Sequence, residues 1–471
     1  MNLNLTSTEF IFLLPITVLI YYLIPNKPRQ YFLLLINLFF YASFGCRFII
    51  VIFIEAIVAW LSTQKERIHK KPTLPLAIIV LVLILLFFKL GNRVFDSIVA
   101  PLGISFYTLQ AISYIVDVYR GNTEPERNPI KLITYLSFFP TITSGPIYRY
   151  KDFSIEHSRN NNKLKPEYDR IINGIVYMIY GYFLKLVIAT RAGIAVDKVF
   201  GDFRTETYGG IFLAMVACLY SVQIYTDFAG YSAIVIGIAQ ILGYKIPENF
   251  NSPYMSMSIK EFWGRWHISL SSWLKDYIYI PLGGNRKGKL KKYVNVLITF
   301  IISGFWHGVN GWHYLVWGAL HGLYQIIGDI TKPYRAKIIP KIGMVEGSFF
   351  HRSMKRVLTF VFVTIAWIFF RTGVGDSVFY IRRIASFGVG SVMMSETGLS
   401  SLDIIILTVA ILFVALVDIY QYRKDMRFDE MVYEQGVFAR CFIIVCMSLF
   451  VLIFGIYGDQ HDAGYFIYRD F

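Results

Sequence analysis

Fourteen apolar stretches punctuate the chain, at about 9–25, 30–46, 48–62, 73–90, 100–118, 130–147, 171–190, 207–226, 228–244, 293–308, 312–330, 355–371, 403–420 and 438–457. A bilayer core about 30 Å thick takes roughly 20 mostly apolar residues per helix. Several stretches are short or broken by Gly and Pro, as re-entrant pieces are. The pattern predicts an all-α, polytopic integral membrane protein with about 10–12 transmembrane helices plus re-entrant or interfacial helices. A single domain is expected over residues 1–471, with N-terminal spans in 1–99, a motif-bearing core at about 100–330 and C-terminal spans in 355–471. Polar stretches at 151–170, 332–355 and 373–401 read as loops, the last with a short helix near 378–385. No internal repeat is visible.

Composition agrees. Of 471 residues, 55% are hydrophobic and 16% charged, whereas soluble domains carry about 25% charged residues. The apolar run 10–24 has no basic segment before it. It is followed by Pro25-Asn26-Lys27-Pro28-Arg29 rather than by a small-residue cleavage site, so it reads as a first span and not a cleaved leader.

Charge then sets the expected sidedness. Lys27 and Arg29 follow the first span, and Lys65, Arg67, Lys70 and Lys71 follow the third. Arg286-Lys287-Gly288-Lys289-Leu290-Lys291-Lys292 is the densest basic loop, and Arg423, Lys424 and Arg427 precede the last span. Basic loops stay cytoplasmic, which places the N- and C-termini of a multi-pass cell-membrane protein on the extracytoplasmic side. The net charge of +15 is read as loops facing anionic lipid. No nucleic-acid motif accompanies it, so nucleic acid is not an expected partner. The 286–292 loop also suits an anionic cytosolic cofactor. Cys46, Cys218, Cys441 and Cys446 show no metal-type spacing and are expected to be packing residues, without disulfide or zinc.

Candidate chemistry sits where apolar sequence holds histidine. From Tyr293 to Gly328 there is no Lys, Arg, Asp or Glu, yet Ser303-Gly304-Phe305-Trp306-His307-Gly308 places an imidazole in the middle. Membrane-buried ionisable groups mark polar cavities or reaction paths. His307 reads as a general base or acyl-transfer catalyst, since imidazole titrates near neutrality; a satisfied structural histidine is the alternative. Gly304 and Gly308 leave room beside it for backbone or ligand. His313 and His321 follow, and alone they read as packing or hydrogen-bonding groups. The six- and eight-residue spacings, with no acid between, argue against a metal site.

The second histidine, His267, lies in Ile259–Ile280. There Trp263, Trp266, Leu270, Trp273, Leu274 and Tyr277 recur at three- and four-residue steps, predicting one helix face. With Lys260, Glu261, Arg265, Lys275 and Asp276 largely elsewhere, an interfacial or re-entrant helix is expected. Taken alone, the tryptophans read as an aromatic membrane anchor. Glu55, Asp117, Lys185 and Asp227 interrupt other apolar segments and mark polar paths or buried pairs, Asp227 foremost.

Phe262-Trp263-Gly264-Arg265-Trp266-His267 continues through Trp273-Leu274-Lys275-Asp276-Tyr277 to Pro281-Leu282-Gly283-Gly284-Asn285-Arg286. This run, the block 303–308, Gly103–Thr108 with Asp117–Gly121, Phe138–Pro140 with Ser144–Ile147, and Tyr225–Ser232 occur in order over about 100–325. Together they resemble the membrane-bound O-acyltransferases, in particular their bacterial alginate O-acetylase and peptidoglycan O-acetyltransferase branch, with the D-alanyl-lipoteichoic acid transfer protein as a relative. The resemblance implies a helical ring around a tunnel. It implies an acyl group, most often acetyl, moving from a cytoplasmic activated donor to an extracytoplasmic polysaccharide. His307 would be the principal catalytic residue and His267 its companion, with Trp263, Arg265, Trp266, Trp306, Asp227, His313 and His321 near the tunnel. No bound cofactor is implied. The donor would be acetyl-CoA or a carrier-protein thioester, and the partners an SGNH-type extracytoplasmic transferase or esterase and a cytosolic acyl-carrier protein. The final Phe466-Ile467-Tyr468-Arg469-Asp470-Phe471 resembles a C-terminal motif of these acetylases, which makes Tyr468 a candidate acyl acceptor. D-alanyl transfer to teichoic acid and a non-enzymatic flippase of lipid-linked saccharide are the competing readings.

Overall fold

Among the residues that the computed structural model describes (3–64, 72–94, 98–206, 208–309, 311–386 and 397–457), regular structure is helical, with one isolated antiparallel bridge between Phe250 and Trp266. The helices are α1 (Thr8–Leu23), α2 (Asn26–Ala42), α3 (Ile49–Thr63), α4 (Thr73–Val94), α5 (Ile104–Tyr119), α6 (Pro129–Leu136), α7 (Tyr150–Lys163), α8 (Tyr168–Tyr182) and α9 (Thr190–Asp202). There follow α10 (Gly210–Ile241), α11 (Ile259–Arg265), α12 (Ile268–Leu274), α13 (Gly288–His307), α14 (Trp312–Lys341), α15 (Phe349–Arg371), α16 (Val374–Ala385), α17 (Ser401–Lys424), α18 (Phe428–Tyr433) and α19 (Val437–Phe454).

Among the described residues, seven helical stretches are long and apolar enough to cross a membrane: Cys46–Thr63, Thr73–Gly91, Tyr168–Asp202, Gly210–Ile241, Phe349–Arg371, Ser401–Lys424 and Val437–Phe454. The chain is a multi-pass membrane protein. The difference from the expected 10–12 has identifiable sources. The stretches 207–226 and 228–244 fuse into the 32-residue α10. The stretch 130–147 yields only the eight-residue α6 before the chain turns irregular inside the protein. The stretch 100–118 gives the 16-residue α5, buried on nearly every side from Ile104 to Ile115, which faces protein and not lipid.

Two expected loops are also helical. In 151–170, α7 forms because Phe153, His157 and Asn160 fall on one buried face. There the His157 Nδ1 pairs with the Tyr244 hydroxyl at 2.8 Å and the Asn160 amide donates to the Gly243 carbonyl at 3.0 Å. In 332–355, α14 runs on through Pro333 to Lys341. Cys46, Cys218, Cys441 and Cys446 are all exposed and free, contrary to a packing role.

Helix α8 meets α10 backbone to backbone. A Cβ built on Gly174 would come within 2.7 Å of the Gly237 carbonyl oxygen, and one on Gly181 within 2.6 Å of that of Gly230. The reciprocal approaches are 2.4 and 2.8 Å. Small residues substitute for the missing hydrophobic drive between helices in lipid by permitting close van der Waals contact.

Polar contacts gather at two ends of the bundle. At one end the Tyr22 hydroxyl donates to Ile241, the Asn26 amide to Asn162 and the Arg427 guanidinium to Gln240 and Asp429. At the other, Arg371 pairs with Asp197, Arg204 with Asp376 and Arg191 with Asp403. Between them the interrupting charges are partnered. Lys185, in a π-helical turn at Phe183–Ala189, forms a buried ion pair with Asp227. Glu55 accepts from the Thr108 hydroxyl at 2.8 Å, and Asp117 from the Tyr277 hydroxyl at 2.7 Å.

Candidate active site

The stretch 259–280 is not one helix. Its aromatic stripe favours helix throughout, but α11 ends at Arg265, and His267 takes a left-handed conformation (φ 45°, ψ 51°) before α12 begins. A non-glycine residue there is uncommon and costs of order 1–3 kcal/mol, so the surroundings must impose it. Asn249 does so. Its carbonyl accepts from the Ile268 N–H at 3.0 Å, while the Asn251 N–H donates to the Arg265 carbonyl at 3.0 Å. The Asn249 Oδ1 accepts from the Ser269 hydroxyl at 2.6 Å and stands 3.4 Å from the His267 Nδ1. The Ser269 Oγ in turn accepts from the Ile147 N–H at 3.0 Å. Backbone groups that a continuous helix needs are thus engaged by the segment after α10. The His267 ring, 1% exposed, lies edge-on to Phe228 with centroids 4.6 Å apart, and 6.4 Å from the Trp306 ring.

His307 is the last residue of α13 and also 1% exposed. Trp306, Trp317 and Phe370 surround its ring at centroid distances of 4.8, 5.0 and 5.4 Å. The glycine beside it admits a helix, not a ligand: a Cβ on Gly304 would come within 2.2 Å of the Tyr314 carbonyl oxygen, and one on Gly318 within 2.2 Å of that of Phe300. This places the α13–α14 hairpin, and with it His307, tightly. Lys89 completes the surroundings. It is buried in α4, donates to the Trp306 carbonyl, and its ammonium lies 5.5 Å from the Trp306 ring centroid. A cation satisfying a carbonyl in the last turn of a helix is favourable. Its only mark in the sequence is one lysine near the end of the apolar run 73–90, where it resembles a flanking charge.

Of the expected site residues, the structure brings His267, Trp306 and His307 together. The Trp263 indole N–H donates to the His321 Nδ1 at 3.2 Å, against Trp317. Because an indole N–H only donates, neutral His321 carries its proton on Nε2. Others point elsewhere. Arg265 pairs with Glu261 at 3.2 Å and stacks over Tyr422, joining α11 to α17. Asp227 is engaged by Lys185. His313 meets the Phe369 carbonyl at 3.0 Å. Trp266 packs among Phe250, Phe262 and Trp367. The three histidines 307, 313 and 321 therefore do not converge on a metal. Tyr468 lies outside the described residues.

A cavity of about 660 Å³ opens beside this cluster. Lys260, Lys275, Lys292 and Asp329 line it, as do Trp263, Phe300 and Ser303. Its lining along α13 runs from Lys292 to Ser303, about 16 Å of helix at 1.5 Å per residue. Ser303 stands one turn before His307 on the same face.

The chain belongs to the membrane-bound O-acyltransferase family, whose sequence pattern matches residues 126–370. It is an O-acyltransferase with a buried histidine pair beside a basic-lined cavity. Over 457 residues it is 35% identical to a probable alginate O-acetylase of Pseudomonas syringae pv. tomato, covering 89% of this chain and 83% of the relative. It is 33% identical over 393 residues to a peptidoglycan O-acetyltransferase of Helicobacter pylori, covering 74% of this chain and 71% of the relative. To a teichoic acid D-alanyltransferase of Bacillus subtilis it is 31% identical over 251 residues, covering 51% and 62%.

Proposed function

We propose that the protein moves an acetyl group from a cytoplasmic thioester across the membrane for O-acetylation of an extracytoplasmic polysaccharide, with His307 as the base. The observation that carries this reading is the cavity whose lining reaches from three lysines to within one helical turn of His307. Acetyl-CoA and an acyl-carrier protein both present the acyl group on a phosphopantetheine arm. Lys260, Lys275 and Lys292 suit its phosphate, and an apolar interior suits the arm. At the inner end the imidazole takes the proton of the acceptor hydroxyl as its oxygen attacks the thioester carbonyl. The tetrahedral intermediate collapses, the C–S bond breaks, and the thiolate leaves with the proton returned by the imidazolium. The names of the relatives with broad coverage support acetyl over D-alanyl.

Purified protein supplied with labelled acetyl thioester and a hydroxyl acceptor is expected to release free thiol in step with ester formed. An intact thioester would reject the enzyme reading in favour of a transporter, and faster turnover of a D-alanyl thioester would reassign the donor. Extracytoplasmic termini, an SGNH-type partner on that side and anionic lipid around the basic end complete the proposal. Cys46, exposed on the turn between α2 and α3, tests the orientation. A membrane-impermeant maleimide should label it in intact cells and should lose that label in Cys46→Ser. Labelling only after permeabilisation reverses the topology.

A further inference from the structure

Several of the side chains lining the cavity carry hydroxyls, and most of these have already spent their protons. The Ser271 hydroxyl donates to the Trp266 carbonyl at 3.2 Å, Ser272 to that of Ser269 at 2.9 Å and Thr299 to that of Asn295 at 2.7 Å. The indole N–H of Trp263, which also lines the cavity, is given to His321. Ser303 differs. It is 1% exposed, and among the described residues its hydroxyl has no hydrogen-bond partner. The usual outlet for a helical serine, the carbonyl four residues back, is here taken by no side chain of its own. A buried hydroxyl left unpaired costs about 1–3 kcal/mol, and one that faces a cavity can recover this from a ligand.

We propose that the Ser303 hydroxyl is the donor that holds the acyl carbonyl oxygen of the thioester and strengthens its hold as that oxygen becomes an oxyanion. The assignment rests on the cavity taking a thioester. It follows from position: Ser303 and His307 are four residues apart on α13, so their side chains emerge on one face a turn apart. A carbonyl carbon between them meets a donor on one side and the proton acceptor on the other, the arrangement acyl transfer requires. Serine's bond is non-covalent here. The hydroxyl keeps its proton, and the acyl group passes to the acceptor.

The test uses the full-length purified protein and two phosphopantetheine analogues with CH₂ in place of sulfur, one a methyl ketone and the other the alkane lacking the carbonyl. Wild type should bind the ketone about tenfold more tightly than the alkane, and Ser303→Ala should bind the two equally. Ser303→Ala should also lose about 10²-fold in kcat with KM little changed, and Ser303→Thr, which keeps a hydroxyl, should recover part of it. A persisting ketone preference in Ser303→Ala, or undiminished kcat, overturns the proposal. So does an acyl ester on Ser303 trapped during turnover, which would make it a nucleophile. If neither analogue competes with the donor in wild type, the cavity is not the donor site, and the donor reading falls together with this one.

Discussion

His307→Ala should lose at least about 10³-fold in thioester-to-hydroxyl transfer, within the range that positioned general bases contribute. The ring is flanked by Trp306, Trp317 and Phe370 and ends its helix one turn beyond the cavity-lining Ser303. Removing it also leaves a void, so some loss of stability accompanies the change. His307→Gln separates the two effects by retaining bulk and hydrogen-bonding capacity while removing the basic nitrogen. Both variants should insert in the membrane and elute as wild type does by detergent chromatography, and both should fail to release thiol from the donor. Turnover within tenfold of wild type in the glutamine variant would remove His307 from the proton-transfer role.

Tyr468→Phe should abolish acetylation of the surface polymer while leaving protein level and membrane insertion unchanged. Only one oxygen is deleted, six atoms out on an aromatic side chain. A phenol with a pKa near 10 is a weak nucleophile at neutral pH and needs a neighbouring base to attack a thioester. If the tail carries the acyl group outward, the phenylalanine variant has nowhere to place it. Acetate released from whole cells by mild alkali measures the outcome, and a wild-type yield would discard the relay. Residual donor turnover in the purified variant would show that water or an added alcohol can replace the tyrosine while His307 remains competent.

The apolar stretches were enough to foretell a helical membrane protein, because burying backbone polar groups in lipid leaves little choice but helix. The aromatic and histidine blocks likewise pointed to the His267–Trp306–His307 cluster. What local pattern could not convey was long-range competition. Nothing in 259–280 announces a break at His267, since the residue that imposes it, Asn249, lies 18 positions upstream. The apolar pattern marks spans and not their joins, so it does not carry the fusion of two stretches into α10. Gly230 within that helix serves contact with α8. Lys89 and Ser303 were hidden differently: each is an ordinary residue in an ordinary helix until a neighbouring carbonyl or an empty space gives it a role. Arg265 and His313, close in sequence to these blocks, fasten one helix to another: Arg265 reaches Tyr422 and His313 the Phe369 carbonyl.

The paired glycines of α8 and α10 bear on how the protein sits among lipids. Sliding one helix along the other by a single residue would drive a side chain into a main-chain oxygen at two levels at once. That pair therefore has one register and little freedom to shear. Helices answer a bilayer of the wrong thickness by tilting or by local deformation of the lipid, and these two can tilt only together. A mismatch that a single helix could absorb is then shared by both, and membrane thickness acts on the pair as on one body.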